Sequence, residues 1–354
     1  MAKEPLVSIV IPYFNRKQFV KIMIDSVINQ IYTNWELIMV DDGSTDGTQS
    51  LVIEYTKKEK RILSYVREDI SQCKGACTCR NIGLHAATGE YIIFFDSDDW
   101  ITPNCLADRV AFMEQNREFD FSVSPFFTYR NKDVYNGYSI SGVDVNQNDL
   151  SNLFIRNLPF TVVNNIYRRS SLINANIVWD EQLQSLQDAD FNISCLVAGL
   201  KYAYCNQDKF DYYVRMIGNT SSISKTVTNE SQFNSHVWFL RKNIMRGKKT
   251  RAVELMVESI YILINSVGYN EEYSKQIREV IPYKRYIFLL AVKDFICRVL
   301  HVKLHIPLKD VFRFVFPMLL LKYRISAKKR LNKCVLIHKN CYKQIQDIEA
   351  LLLS

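Results

Sequence analysis

The stretch Gly89–Asp99, which reads Gly-Glu-Tyr-Ile-Ile-Phe-Phe-Asp-Ser-Asp-Asp, constrains this 354-residue chain more than any other segment. Its apolar part, Tyr91–Phe95, is short and rich in β-formers, which predicts a buried strand. Three carboxylates follow at once, and like charges this close repel unless something neutralises them. Mg²⁺ and Mn²⁺ bind carboxylate oxygens together with substrate phosphates. The stretch therefore indicates a metal-assisted site for a phosphorylated substrate, with an ordinary polar loop after a core strand as the alternative.

Strand and helix patterns alternate along the first two thirds of the chain. This alternation predicts right-handed βαβ units and a mainly parallel sheet. The strands ending at Val40 and Phe95 deliver carboxylates to one edge of that sheet, where α/β sheets bind their ligands. Predicted strands are Leu6–Ile11, Trp35–Val40, Ile62–Val66, Tyr91–Phe95, Phe119–Tyr129, Phe160–Tyr167 and Tyr202–Cys205; predicted helices are Lys17–Gln30, Gly75–Ala87, Pro103–Gln115, Ser170–Asn174 and Gln187–Gly199.

The composition of the chain narrows its expected cellular compartment and its expected binding partners. Lys and Arg together number 45 against 37 Asp and Glu, a net charge of +8, which fits anionic ligands or an acidic membrane surface without choosing between them. Nucleic acid is not an expected partner. The nine cysteines, the missing secretory signal and the missing 20-residue apolar run favour a cytoplasmic protein with reduced thiols. The spacing of Cys73, Cys77 and Cys79 does not match a structural zinc site.

The sequence pattern changes near Glu230. Strand signals fade, and amphipathic helical runs take over at 235–245, 253–267 and 285–300. We therefore expect a catalytic unit at residues 1–228 and a helical C-terminal region at 229–354. A dense basic cluster in that region is compatible with an anionic membrane surface, a core helix with a solvated face, or a subunit contact in a homo-oligomer. The cluster comprises Lys322, Arg324, Lys328, Lys329 and Arg330.

Several motifs, in order and at matching spacing, make the N-terminal 220 or so residues resemble a family 2 glycosyltransferase. The resemblance implies an α/β GT-A nucleotide-sugar-binding fold, with a mainly parallel sheet flanked by helices, followed by a helical C-terminal extension. The motifs are Val7–Asn15 (Val-Ser-Ile-Val-Ile-Pro-Tyr-Phe-Asn), Trp35–Asp46 (Trp-Glu-Leu-Ile-Met-Val-Asp-Asp-Gly-Ser-Thr-Asp), Arg80–Leu84 (Arg-Asn-Ile-Gly-Leu), Gly89–Asp99 and the segment around Asp188.

The resemblance also implies roles on the donor side. Asp42 matches the aspartate that accepts a hydrogen bond from uracil, and Asp41 helps to hold its loop. Asp98 is the stronger candidate for direct coordination of Mn²⁺ or Mg²⁺, while Asp96 lies towards the ribose and the metal's water shell. Asp99 either supports the metal's ligands from behind or holds the loop. Pro12, Tyr13 and Arg80 match residues that border the nucleotide, and Arg215, with Ser221 or Ser222, resembles a late loop that closes over the diphosphate.

On the acceptor side, Asp188 matches the general base of the family, at the start of a helix. Inverting transfer needs a base that removes the proton of the acceptor hydroxyl. Asp190 is the competing candidate, and Gln187 stands where the family frequently has Glu.

The implied activity is metal-assisted, inverting transfer of one sugar from a UDP-sugar to a hydroxyl of a glycan or lipid-linked acceptor. The family setting implies the cytoplasmic face of the inner membrane. A processive synthase is disfavoured because transmembrane helices and a Gln-x-x-Arg-Trp motif are absent from the sequence. The alternative from another class is a non-catalytic nucleotide-sugar or glycan-binding subunit.

Overall fold

The computed structural model describes residues 4–67, 73–130, 140–141, 161–205, 209–216, 230–246, 275–276 and 279. Two sheets carry the fold. The larger has seven strands: β1 (Val7–Tyr13), β2 (Trp35–Asp41), β3 (Ile62–Val66), β4 (Tyr91–Phe94), β6 (Phe121–Val123), β9 (Asn165–Arg168) and β10 (Tyr202–Tyr204). The smaller comprises β5 (Trp100–Ile101), β7 (Phe126–Arg130), β8 (Ile140–Ser141) and β11 (Tyr212–Met216).

Seven helices have bounds within the described residues. In addition, one 3₁₀ turn, Val162–Asn164, precedes β9. The helices are α1 (Val20–Ile28), α2 (Thr48–Lys58), α3 (Ala76–Ala86), α4 (Cys105–Gln115), α5 (Arg169–Asn174), α6 (Gln187–Val197) and α7 (Glu230–Arg246). Most predicted elements are confirmed, with bounds that shift by a few residues. The predicted helices at 253–267 and 285–300 and the basic cluster at 322–330 lie outside the described residues.

The larger sheet has the strand order β10-β6-β9-β4-β1-β2-β3. β1 pairs in parallel with both β2 and β4, whereas β9 runs antiparallel to β4 and β6. The predicted mainly parallel sheet is confirmed, with β9 as its one antiparallel strand in the described part. β1 and β4 are buried along their whole length, as expected for strands covered on both faces.

The predicted strand Phe119–Tyr129 is wrong in its extent. It divides at Pro125 into β6, which belongs to the larger sheet, and β7, which belongs to the smaller one. Proline has no N–H to donate to a neighbouring strand and therefore interrupts pairing. A second prediction, the strand Phe160–Tyr167, is shortened because its first part forms the 3₁₀ turn.

Helix α3 packs closely against the larger sheet because of one glycine. A Cβ placed on Gly83 would lie 2.2 Å from the Cγ1 of Val10 on β1, which no real side chain could tolerate. Arg80 lies three residues earlier on the same helix, and residues three apart share a face. The close approach at Gly83 therefore sets the distance of Arg80 from the carboxyl ends of the strands.

Candidate active site

The carboxyl ends of β1, β2 and β4 meet at one edge of the larger sheet. Tyr13 at the end of β1 pairs with Asp41 at the end of β2, and Phe94 of β4 pairs with Val10 of β1. The loop with Asp96 follows β4 directly. Burial, followed by the nearby Asp41, raises the pKa of the Tyr13 phenol. The sheet therefore brings the two acidic segments predicted from sequence to the same edge.

The carboxylates of Asp41 and Asp42 both have partners. Asp41 accepts hydrogen bonds from the backbone N–H and the hydroxyl of Ser44, at 3.0 and 2.5 Å, which closes the loop after β2. Asp42 lies 2.6 Å from Nε of Arg67, which follows the end of β3. The sequence prediction did not include Arg67. Its position directly after β3, the strand beside β2, could have indicated a basic partner for the carboxylates that follow β2.

Arg80 connects the acidic loop after β4 with the start of α6. Its Nη2 donates to Oδ1 of Asp96 at 2.8 Å, and its Nη1 donates to Oε1 of Gln187 at 3.1 Å. The guanidinium is buried and lies 4.5 Å above the ring of Trp179. Such a cation is fixed in position by its two acceptors and its aromatic neighbour. Gln187, which stands where the family frequently has Glu, still supplies an acceptor: its amide oxygen accepts the hydrogen bond from Arg80.

Asp98 is half-buried, and its contact with Arg16 is at the limit of an ion pair. Nε of Arg16 lies 3.7 Å from its Oδ2, and the side chain is 25% exposed. Burial, followed by the charge of Asp96, raises the pKa of Asp98, and Arg16 and Arg215 oppose this effect. A carboxylate in this position gains from an added positive charge.

Asp99 holds the acidic loop against β11. Its Oδ2 accepts a hydrogen bond from the Tyr212 hydroxyl at 2.7 Å, and its Oδ1 accepts one from the Arg215 backbone N–H at 2.8 Å. The Arg215 guanidinium lies 5.1 Å from the ring centroid of Phe19. Ser221 and Ser222, the predicted companions of Arg215, lie outside the described residues.

Asp188 is the second residue of α6. Burial, opposed by Arg80 and reinforced by Asp96, raises the pKa of its carboxyl to about 6, and the backbone of Val162 supplies a hydrogen bond. Leu186, directly before the helix, has a φ of 60°. A non-glycine residue in the left-handed region costs on the order of 1–3 kcal/mol and is retained where the surroundings enforce it.

Asp190, the competing candidate for the base, forms ion pairs in a cluster with Lys242, Arg246 and Asp180. Its Oδ2 lies 2.7 Å from Nζ of Lys242, and its Oδ1 lies 3.3 Å from Nη1 of Arg246, both on α7. Lys242 also contacts Asp180 at 2.6 Å. The two aspartates of α6 therefore have different surroundings: Asp190 is ion-paired with Lys242 and Arg246, whereas Asp188 lies in the field of Arg80, whose hydrogen bonds go to Asp96 and Gln187. Sequence reasoning missed Lys242, which lies far along the chain in the helical region.

The helical C-terminal region, predicted to begin at residue 229, starts with a helix that packs on the catalytic unit. In α7, Ser235 accepts hydrogen bonds from the backbone N–H groups of Gln184 and Ser185, at 2.8 and 3.1 Å. The boundary itself stays a prediction. Within the described ranges, none of the helices combines the length and the apolar character needed to cross a bilayer.

The described residues contain no cluster of three or more His, Cys, Asp or Glu side chains arranged for a metal ion. Cys77 and Cys79 are buried, and burial raises the pKa of each thiol to about 12, which leaves them as neutral core residues. In the described part of the acidic loop, Asp96 and Asp98 are the pair whose carboxylate oxygens could contact a cation. Two protein ligands suit Mg²⁺ or Mn²⁺, which usually keep waters and take substrate phosphates as further ligands.

Comparison with known proteins connects this geometry to a family. Residues 8–175 match the family model for "Glycosyl transferase family 2". The chain is 37% identical over 121 residues to the putative teichuronic acid biosynthesis glycosyltransferase TuaG of Bacillus subtilis, covering 34% of this chain and 46% of the relative. It is 36% identical over 137 residues to the UDP-Glc:alpha-D-GlcNAc-diphosphoundecaprenol beta-1,3-glucosyltransferase WfgD of Escherichia coli, covering 39% and 49%. The alignments thus span about half the length of these two relatives.

Among solved structures, the chain resembles S. aureus TarS 1-349 in complex with UDP-GlcNAc, with a TM-score of 0.60 and 19% identity over 96% of this chain and 91% of that one. At this identity the likeness concerns the fold alone. It confirms the GT-A fold that the sequence resemblance implied.

Proposed function

We propose that the protein, whose residues 8–175 match the family model for "Glycosyl transferase family 2", transfers a single sugar from a UDP-sugar to a hydroxyl of a glycan or lipid-linked oligosaccharide. The transfer inverts the anomeric configuration, with a divalent cation assisting and Asp188 acting as general base. The UDP donor is supported by the name of the WfgD relative and by the UDP-GlcNAc complex of the TarS fold neighbour. The acceptor class is supported by the relatives' names, which refer to a diphosphoundecaprenol-linked sugar and to teichuronic acid.

The observation that carries this proposal is the bridge made by Arg80. One guanidinium holds Asp96 of the donor-side loop and Gln187 at the start of α6, so the two halves of the site have a fixed relation. Asp188 follows Gln187 directly. With a pKa of about 6, this carboxyl is ionised at neutral pH and yet more basic than an ordinary aspartate. A base works best when its pKa lies close to the working pH.

The chemistry then follows from the positions of these groups. Asp188 accepts the proton of the acceptor hydroxyl while that oxygen forms a bond to the anomeric carbon. The bond from the anomeric carbon to the UDP oxygen breaks on the opposite face, and its electron pair leaves with the diphosphate. The proposal therefore requires Asp188 and the nucleotide-binding edge to lie on opposite sides of the sugar.

Asp98 and Asp96 are the residues that would hold Mn²⁺ or Mg²⁺. The raised pKa of Asp98 fits this role, since a nearby cation would stabilise its ionised form. When bound, a divalent cation supplies charge stabilisation to the departing diphosphate. Asp99 keeps the loop of these two carboxylates in place through Tyr212 and the backbone of Arg215.

On the nucleotide side, the proposed uracil acceptor is Asp42. Arg67 holds one of its oxygens, which leaves the other available to an N–H of the base. Asp41 fixes the loop through Ser44. Pro12 and Tyr13, at the end of β1, border the same space.

We also propose a cytoplasmic location, with contact to the inner face of the membrane through the basic residues 322–330. These residues and any homo-oligomer contact lie outside the described ranges, so the support is the sequence pattern alone. Flotation of the full chain and of a chain ending at Lys303 with anionic liposomes tests the contact. Equal flotation of the two forms would refute it.

Donor turnover tests the enzymatic proposal. UDP release from a panel of UDP-sugars is measured with Mn²⁺ and after chelation, with wild type, Asp98→Ala and Asp188→Asn. We expect metal-dependent release with one donor, loss of it in Asp98→Ala, and loss of transfer to the acceptor in Asp188→Asn by about 10²–10⁴-fold. UDP binding without turnover of any donor would favour a non-catalytic nucleotide-sugar-binding subunit. Full transfer by Asp188→Asn would disprove the assignment of the base.

A further inference from the structure

An open groove of about 880 Å³ lies beside the site, between α7 and the loop that leads into α6. Its wall includes the amide side chains of Gln182, Gln184 and Asn234, and the indole of Trp238. The loop wall runs directly into the start of α6, where Asp188 lies. A ligand in this groove would therefore lie next to the acceptor side of the site.

Trp238 is the most informative residue of this groove. Its side chain is 36% exposed, although it belongs to a helix that is anchored to the rest of the protein. Its Nε1–H donates to Oδ2 of Asp180 at 3.0 Å, and the same oxygen contacts Nζ of Lys242 at 2.6 Å. Lys242 in turn contacts the buried Asp190. The ion cluster thus holds the indole in one orientation while part of its surface faces the groove.

A fixed aromatic surface beside several amides suits one class of ligand. The C–H bonds of a pyranose ring form a weakly polar face that packs on the π-face of an aromatic ring. Side-chain amides both donate and accept hydrogen bonds, as sugar hydroxyls require. Tryptophan with amides in an open groove of mixed polar and apolar lining therefore matches a carbohydrate, which presents both hydroxyls and C–H faces.

The charges of the groove argue against a second nucleotide or a diphosphate as the occupant. Among the described residues that line it, the charged side chains are Glu181, Glu230 and Arg241, two acids against one base. Phosphate sites are instead rich in arginine and backbone N–H groups. The groove is thus closer to neutral or acidic than to basic, which suits an uncharged sugar.

We propose that this groove binds a neutral carbohydrate, with Trp238 as the stacking platform and Gln182, Gln184 and Asn234 as hydrogen-bonding partners. Its identification as the subsite for the glycan part of the acceptor rests on the proposed transferase function. The binding of carbohydrate as such does not rest on it.

The test measures oligosaccharide binding and UDP binding in the same preparations. Chitotetraose and maltotetraose are titrated into the full chain in the presence of UDP and Mn²⁺ and followed by saturation-transfer NMR. UDP affinity is measured by calorimetry. We expect at least one oligosaccharide to bind with a Kd of about 1 mM, and Trp238→Ala to raise this Kd about tenfold or more. Trp238→Phe keeps an aromatic face without the indole N–H, and we expect its Kd to stay within about threefold of wild type.

The matched control is Ile53→Ala, which removes a 40% exposed apolar side chain on α2, away from the groove. We expect it to change neither oligosaccharide nor UDP binding. Failure of both oligosaccharides to bind the wild type, or equal binding by wild type and a folded Trp238→Ala variant, would overturn the inference. Oligosaccharide binding without any UDP binding would instead count against the proposed function and leave the groove assignment intact.

Discussion

Nη1 of Arg80 donates a 3.1 Å hydrogen bond to the amide oxygen of Gln187, the residue that directly precedes Asp188. The other end of the same guanidinium holds Asp96. A single buried cation thereby connects the loop after β4 to the first turn of α6. The position of the proposed base relative to the donor side depends on this connection, and the geometry leads to four predictions about stability.

Replacing Gln187 tests the connection directly. Gln187→Met removes the acceptor and leaves a buried N–H of Arg80 unpaired, so we expect a loss of about 1–3 kcal/mol in the free energy of unfolding. Gln187→Glu keeps an acceptor and turns the hydrogen bond from the guanidinium into an ion pair, and we expect it to stay within about 1 kcal/mol of wild type. Urea denaturation measures both variants. Equal stability of the Met variant and the wild type would show that Arg80 does not need this acceptor.

Asp188→Asn is expected to stabilise the fold although it abolishes transfer. The folded state raises the pKa of this carboxyl from 3.8 to about 6, so ionisation is costlier in the folded than in the unfolded chain. The protonated carboxyl stabilises the fold fully below pH 3.8, and this contribution disappears as the pH rises to about 6. We therefore expect the variant to gain about 1–3 kcal/mol over wild type at pH 7 and nothing at pH 3.5, with the partial exposure of the side chain reducing the gain.

Chemical denaturation across this pH range gives the measurement. A gain that is the same at both pH values would contradict the pKa shift as its cause. A loss of stability at pH 7 would contradict the prediction itself.

Asp190→Asn is expected to have the opposite effect on stability. The carboxylate is buried and pairs with Lys242 and Arg246, and its removal leaves these two cations short of negative charge. Because Lys242 keeps Asp180 and both cations are partly exposed, we expect a loss of about 1–3 kcal/mol. Urea midpoints of Asp188→Asn and Asp190→Asn, compared at pH 7, should move in opposite directions. A shift in the same direction for both would undermine the distinct roles assigned to the two aspartates.

Arg109→Met should strongly destabilise the smaller sheet. Arg109 is fully buried, donates from Nε and Nη2 to the two carboxylate oxygens of Asp211 at 2.7 and 2.8 Å, and donates from Nη1 to the carbonyl of Val163. Breaking one side of such a pair leaves an unpaired buried charge and costs about 3–5 kcal/mol. The double variant Arg109→Met/Asp211→Asn should recover part of this loss, as thermal unfolding can show. A double variant less stable than Arg109→Met would contradict the explanation.

Local patterns in the sequence were sufficient for much of the fold. The alternation of apolar strands with amphipathic helices predicts the succession of elements. A strand buried on both faces gives a continuous apolar run, whereas a helix buried on one face repeats its apolar residues every three to four positions. The acidic residues after β2 and β4 could be assigned to one edge, because parallel strands end on the same side of a sheet. The sequence alone therefore identifies Asp42, Asp96 and Asp98 as a group.

Tertiary structure decided which charged residues are partners. Arg67 reaches Asp42, Arg80 reaches Gln187, and Lys242 reaches Asp190 across long stretches of chain, and no local pattern encodes those contacts. It also decided that Pro125 divides one apolar run between two sheets and that β9 runs antiparallel. The physical reason is that periodicity reports only which face of an element is buried. The neighbour that covers this face, and the charge that neutralises a buried carboxylate, depend on how distant segments pack together.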